Sequence, residues 1–96
     1  MKNRLDINSI NSLLEKSNVQ FAGIFGSFAK GTNKNTSDID ILVKFTEPAS
    51  LLEIINLERK ISEKIGKDVD LVTENSLSPF IKEEIINSLK PIYGKR

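Results

Sequence analysis

Apolar and polar positions along the chain follow two periods, one helical and one of strand type. Ile7, Ile10, Leu13 and Leu14 recur at helical spacing, and Asp6 is placed to cap a first helix running to about Lys16. Residues 19–26 (VQFAGIFG) form a short apolar run that reads as a buried strand. After the polar excursion 31–37 (GTNKNTS), residues 38–45 (DIDILVKF) form a second run that begins on two aspartates and ends apolar. Ser50 with Glu53 three residues on has capping-box spacing and opens a second helix that ends near Gly66. Leu51, Ile54, Ile55, Ile61 and Ile65 are its expected buried stripe. Residues 68–73 (DVDLVT) read as a third strand. Ser78 followed by Pro79 then caps a third helix, with Phe80, Ile81, Ile85 and Leu89 as its apolar side and Pro91 as its stop. Ile92 and Tyr93 suit a short last strand, Tyr93 closing the sheet's edge. The predicted order α-β-loop-β-α-β-α describes an α/β domain with helices packed on a small sheet.

Composition narrows what such a domain can do. Ninety-six residues suffice for one domain, which spans residues 1–96 and buries roughly two-thirds of the surface its unfolded chain exposes. Hydrophobic residues make up 39% and charged residues 28%, so the chain is globular rather than disordered. Fourteen basic against thirteen acidic residues give a net charge of +1, which argues against direct binding of duplex DNA. There is no Cys and no His, which excludes disulfides, thiol chemistry, zinc sites and imidazole acid–base catalysis. Any metal must therefore be held by oxygen. The longest apolar runs fall far short of the ~20 residues of a transmembrane helix, and the basic start at residues 1–4 is followed by polar residues where a signal peptide needs apolar ones. No membrane association and a cytoplasmic location are expected.

One constellation carries chemistry: Gly26-Ser27, then ten residues, then Asp38-Ile39-Asp40. Side chains alternate across a strand, so Asp38 and Asp40 share one face while Ile39 and Ile41 point into the core. Two carboxylates one pleat apart can bridge a pair of divalent ions, which two-metal phosphoryl-transfer sites hold about 3.5–4 Å apart. Magnesium fits, being hard and oxygen-seeking, with substrate phosphates and water completing its shell. Gly26 ends the first strand and lets the backbone come close to a phosphate, Ser27 adds a donor, and Lys30 is placed to add a charge or to stand in solvent. If the third strand lies beside the second, Asp70 completes an acidic triad on the same face and helps remove the proton of an attacking hydroxyl. Asp68, two residues earlier, reads as a solvated carboxylate at the strand's start. Of Phe21, Phe25 and Phe28, most are expected in the core rather than stacked on a base.

These residues resemble a known family. GSFAKG at 26–31, SDIDILV at 37–43 and DVDLV at 68–72 are similar to the minimal nucleotidyltransferases of the DNA-polymerase-β superfamily, and to the MNT-type antitoxins of prokaryotic HEPT–MNT toxin–antitoxin pairs. The likeness runs from Val19 to Gly94 and includes NSLSPFIKEEI after the third strand. It implies the nucleotidyltransferase fold, a small mixed β-sheet with helices packed on it. By position it implies Gly26 and Ser27 at the nucleotide phosphates, Asp38 and Asp40 on both Mg²⁺ ions, and Asp70 as the third carboxylate. It implies ATP as substrate and transfer of AMP to a tyrosine of a partner HEPT-type toxin, which is thereby neutralised. Lys30 departs from the Arg often found in the family, keeping the charge and losing the bidentate fork. Two rivals belong to other classes: an antitoxin that inhibits by binding alone, and one subunit of a split transferase acting on a small molecule. The short chain is expected to carry the metal-and-nucleotide half of the reaction, with the acceptor on another chain.

Overall fold

The computed structural model describes residues 8–26 and 39–95, and turns the alternating runs into a four-stranded mixed sheet. Along the described chain the elements are α1 (Asn8–Lys16), β1 (Val19–Phe25), β2 (Ile39–Phe45), α2 (Leu51–Ile65), β3 (Val69–Thr73), a 3₁₀ turn (Glu74–Ser76), α3 (Pro79–Ser88) and β4 (Lys90–Gly94). The strand order is β3-β2-β1-β4. β1 runs antiparallel to both β2 and β4, whereas β2 and β3 are parallel and joined through α2. A parallel pair requires such a crossover, and the helix supplies it.

One face of the sheet carries the main core. Ala22 and Ile24 of β1, Ile39, Ile41 and Val43 of β2, and Val69 and Leu71 of β3 pack there against Ile10 and Leu14 of α1 and Leu57 and Ile61 of α2. A register shift between Val19 and Phe21 inserts one residue into β1, which brings Val19 onto the same face as Ala22. Tyr93, on edge strand β4, packs partly buried against this cluster as expected. On the opposite face Phe21 and Leu42 are buried, and Leu89, directly after α3, approaches β1. Gly23 permits that approach, because a Cβ there would lie 2.8 Å from Leu89 Cγ.

The helix ends follow local chemistry. Ser50 Oγ accepts from Glu53 N–H at 3.1 Å while Ser50 N–H donates to Glu53 Oε1 at 2.8 Å, the reciprocal capping box the spacing predicts. Gly66 ends α2 in the left-handed region (φ 81°). Ser78 caps α3, with Pro79 in its first turn.

Two expected apolar faces need correction. Leu51 and Ile55 do not join the stripe of α2: they are 72% and 48% exposed, and the buried positions are Leu57 and Ile61 flanked by Ile54 and Ile65. At about 100° per residue, the row 54-57-61-65 fixes the inward direction and leaves Ile55 on the helix flank. Phe80 and Ile81 likewise do not pack; Phe80 is 94% exposed and no residue of α3 is fully buried. The helix leans on the sheet near its C-terminal end, where Ile86 and Leu89 line a groove with Phe21 and Pro91. Pro91 lies within β4, on the sheet edge where a missing N–H is tolerated. The expected cap Asp6, together with Ser27, Phe28, Lys30 and Asp38, lies outside the described residues.

Candidate active site

Ile39 and Ile41 of β2 are buried, and by strand alternation Asp40 between them turns to the other face. Val69 and Leu71 do the same for Asp70 on β3. The parallel register then pairs Ile39 with Val69, Asp40 with Asp70 and Ile41 with Leu71. Four apolar side chains locked in one core thus place two carboxylate-bearing residues side by side on the opposite face. Their strands run ~4.8 Å apart, a separation that carboxylates can close on a shared cation. Asp40 is half-buried and Asp70 exposed, so the pair opens to solvent above the buried Leu42.

Gly26 completes the described part of the site. It follows β1 with φ at +78°, and Phe25 before it pairs with Asp40 across the ladder. A Cβ on residue 26 would lie 2.6 Å from Asp40 Oδ2. The carboxylate therefore rests over the glycine, which is required both for its left-handed backbone and for its bare α-carbon. The structure thus brings Gly26 against Asp40 and Asp40 beside Asp70. The expected roles of Ser27, Lys30 and Asp38 fall on residues outside the described ones.

The donors suit a hard divalent cation. Asp40 and Asp70 offer only carboxylate oxygens, and the whole chain holds neither His nor Cys to favour a softer metal. Among the described residues no group of three potential ligands assembles. Asp68, at the approach to β3, is exposed, and its C=O accepts from Ile39 N–H at 3.0 Å. Phe21 is buried, in keeping with a core role.

Two neighbours of the site carry no motif. Ser62 Oγ accepts from Val69 N–H at 3.1 Å, and Glu58 Oε2 accepts from Leu71 N–H at 2.8 Å. Only their i, i+4 spacing on α2 hints at a common task, and nothing in that spacing points to β3.

Comparison with known proteins identifies the family of this fold. The family model described as polymerase beta, nucleotidyltransferase, matches residues 8–96. The protein adenylyltransferase MntA of Thermococcus cleftensis is 40% identical over 77 residues, which is 80% of this chain and 78% of that protein. Among solved structures, a toxin–antitoxin crystallised with AMP-PNP superimposes with a TM-score of 0.83 at 30% identity, over 96% of this chain and 76% of that one. The MNT antitoxin complex of the tri-AMPylated HEPN toxin from Shewanella oneidensis gives 0.72 at 26% identity, over 93% of this chain and 70% of that one. No helix among the described residues is long and apolar enough to cross a membrane. From the fold, the paired strand carboxylates and these matches together, the chain belongs to the polymerase-β nucleotidyltransferase family and is an enzyme of the nucleotidyltransferase class.

Proposed function

We propose that this protein transfers AMP from ATP to a tyrosine hydroxyl of a partner HEPT-type toxin and so neutralises it. The observation that carries the reading is the in-register pair Asp40 and Asp70, with the Asp40 carboxylate seated over Gly26. Three carboxylates, Asp38, Asp40 and Asp70, would hold two Mg²⁺ ions in this reading. Bound there, the ions would neutralise phosphate charge and make the attacking hydroxyl more acidic. In the transfer, the tyrosine oxygen forms a bond to the α-phosphorus of ATP, and the bond from that phosphorus to the α,β-bridging oxygen breaks. Pyrophosphate leaves with that electron pair. Asp70, exposed at the mouth of the site, takes the hydroxyl proton. Gly26 and Ser27 seat the phosphates by their backbone and hydroxyl, and Lys30 adds charge at the triphosphate. The chain has no imidazole, so a carboxylate is its natural proton acceptor. A single minimal domain spanning residues 1–96 and residence in the cytoplasm, where ATP is supplied, go with this reading.

Support for the acceptor comes from relatives. A HEPN toxin bound to its MNT antitoxin is itself tri-AMPylated, and another neighbour is a toxin–antitoxin with AMP-PNP. The test is intact mass of the partner toxin after incubation with ATP and Mg²⁺. Gain of adenylyl groups, abolished by Asp38→Ala plus Asp40→Ala, is the expected result. An unmodified toxin, or undiminished modification by that variant, overturns the proposal. Full neutralisation of the toxin by the triple Asp→Ala chain would instead establish inhibition by binding alone. Activity on small hydroxyl acceptors with no protein partner would establish the split-transferase alternative.

A further inference from the structure

Among the described residues Asp70 sits on an edge strand, with a ladder on one side only. Ile39 N–H donates to Asp68 C=O, so residues 68 and 70 direct their main-chain groups to β2, and residues 69 and 71 direct theirs away from the sheet. Those outward N–H groups are met by α2: Val69 donates to Ser62 Oγ at 3.1 Å and Leu71 to Glu58 Oε2 at 2.8 Å. The spacing suits both elements, since four helical residues rise ~6 Å and two strand residues ~6.6 Å. One helical turn further toward the N-terminus of α2 stands Ile54, which has no acceptor and shares a groove with Thr73. The side-chain clamp is therefore confined to the part of β3 that carries Asp70.

From this geometry we propose that Glu58 and Ser62 are positioning residues: they hold the β3 backbone on both sides of Asp70 and so set where its carboxylate stands relative to Asp40. The inference rests on the reading of Asp40 and Asp70 as metal ligands. Two neighbouring carboxylates repel each other until a cation binds; the β2 ladder and the buried Val69 and Leu71 oppose that repulsion, and the two bonds from α2 add a hold on the outer side of the strand. The charge-assisted bond from Leu71 to Glu58 is the stronger of the two ties. Held in place before the ion arrives, Asp70 binds it without first ordering its strand.

The test uses the full chain with Mn²⁺ as probe. Amide hydrogen exchange is read at Val69 and Leu71, and Mn²⁺ affinity by electron paramagnetic resonance of the free ion. In Glu58→Ala the Leu71 amide is expected to exchange about tenfold faster or more. The Mn²⁺ dissociation constant is expected to rise about tenfold in the same variant, with the far-UV spectrum unchanged. Glu58→Gln keeps an acceptor oxygen and should restore most of both. Ser62→Ala should act in the same direction at Val69, and it carries the test should Glu58→Ala alter the far-UV spectrum. Freed amides with unchanged Mn²⁺ affinity overturn the inference, as does unchanged exchange at Leu71 in Glu58→Ala. Asp70→Asn separates the two levels: if it leaves Mn²⁺ affinity unchanged, Asp70 is no ligand and both readings fall. If it weakens binding while Glu58→Ala does not, the positioning role alone falls.

Discussion

Substituting Gly26 by alanine perturbs the site in two separable ways. The residue holds φ at +78°, a region where a side chain costs about 1–2 kcal/mol. The new Cβ would also lie 2.6 Å from Asp40 Oδ2, so reaching ordinary contact at about 3.4 Å moves the carboxylate by about 0.8 Å. Displacing it adds about 1 kcal/mol. The total of about 2–3 kcal/mol corresponds to a Tm lower by about 10 °C or more for a domain of this size. On the proposed reading of Asp40 as a metal ligand, a displacement approaching 1 Å should also slow AMP transfer by about 100-fold. Thermal denaturation followed by circular dichroism reads the first effect, and intact mass of the acceptor against time reads the second. The two causes part in a double-mutant cycle with Asp40→Ala, which removes the carboxylate that the Cβ meets. In that background Gly26→Ala should cost only the backbone part, about 1–2 kcal/mol. An equal cost in both backgrounds would show that the carboxylate does not rest over Gly26. Full stability and activity in Gly26→Ala would refute the backbone argument as well.

Three further outcomes follow from the fold. Gly23→Ala puts a Cβ 2.8 Å from Leu89 Cγ and 3.2 Å from the Lys90 carbonyl oxygen; a loss of about 1–3 kcal/mol in urea denaturation is expected, smaller in a Leu89→Ala background. Ser50→Ala removes one half of the capping box and should lower stability by about 1 kcal/mol, whereas Glu53→Gln, which keeps an acceptor oxygen, should lower it by less in the same assay. Phe80→Ser should change stability by no more than about 0.5 kcal/mol, because the ring is 94% exposed; a larger loss by thermal denaturation would contradict its placement.

What the sequence determined by itself is local. Strand alternation assigned Ile39 and Ile41 to the core and Asp40 to the other face, because a period of two leaves a strand residue no third direction. The capping box at Ser50 and Glu53, the left-handed Gly66 and the Ser78-Pro79 start of α3 were equally legible, since each is settled within one turn of chain. The Gly-Ser and Asp-x-Asp motif pointed to two-metal phosphoryl transfer, its resemblance to the minimal nucleotidyltransferases narrowed this to nucleotidyl transfer, and the family match agrees with that resemblance.

Tertiary structure decided everything that depends on how distant segments meet. The helical periodicity of α2 admits several inward faces; contact with α1 and the sheet selected Leu57 and Ile61 and left Leu51 and Ile55 exposed. Phe80 and Ile81 stay in solvent because the approach to β1 comes at the opposite end of α3, through Leu89 directly after it. Asp70 stands beside Asp40 only because Ile39, Ile41, Val69 and Leu71 lock β3 against β2 in one register; a slip of one residue would turn Asp70 into the core. The seat of Asp40 over Gly26 and the hold of Glu58 and Ser62 on β3 arise the same way. Each joins residues at least seven positions apart. Their proximity is set by packing of buried side chains, which no local pattern encodes.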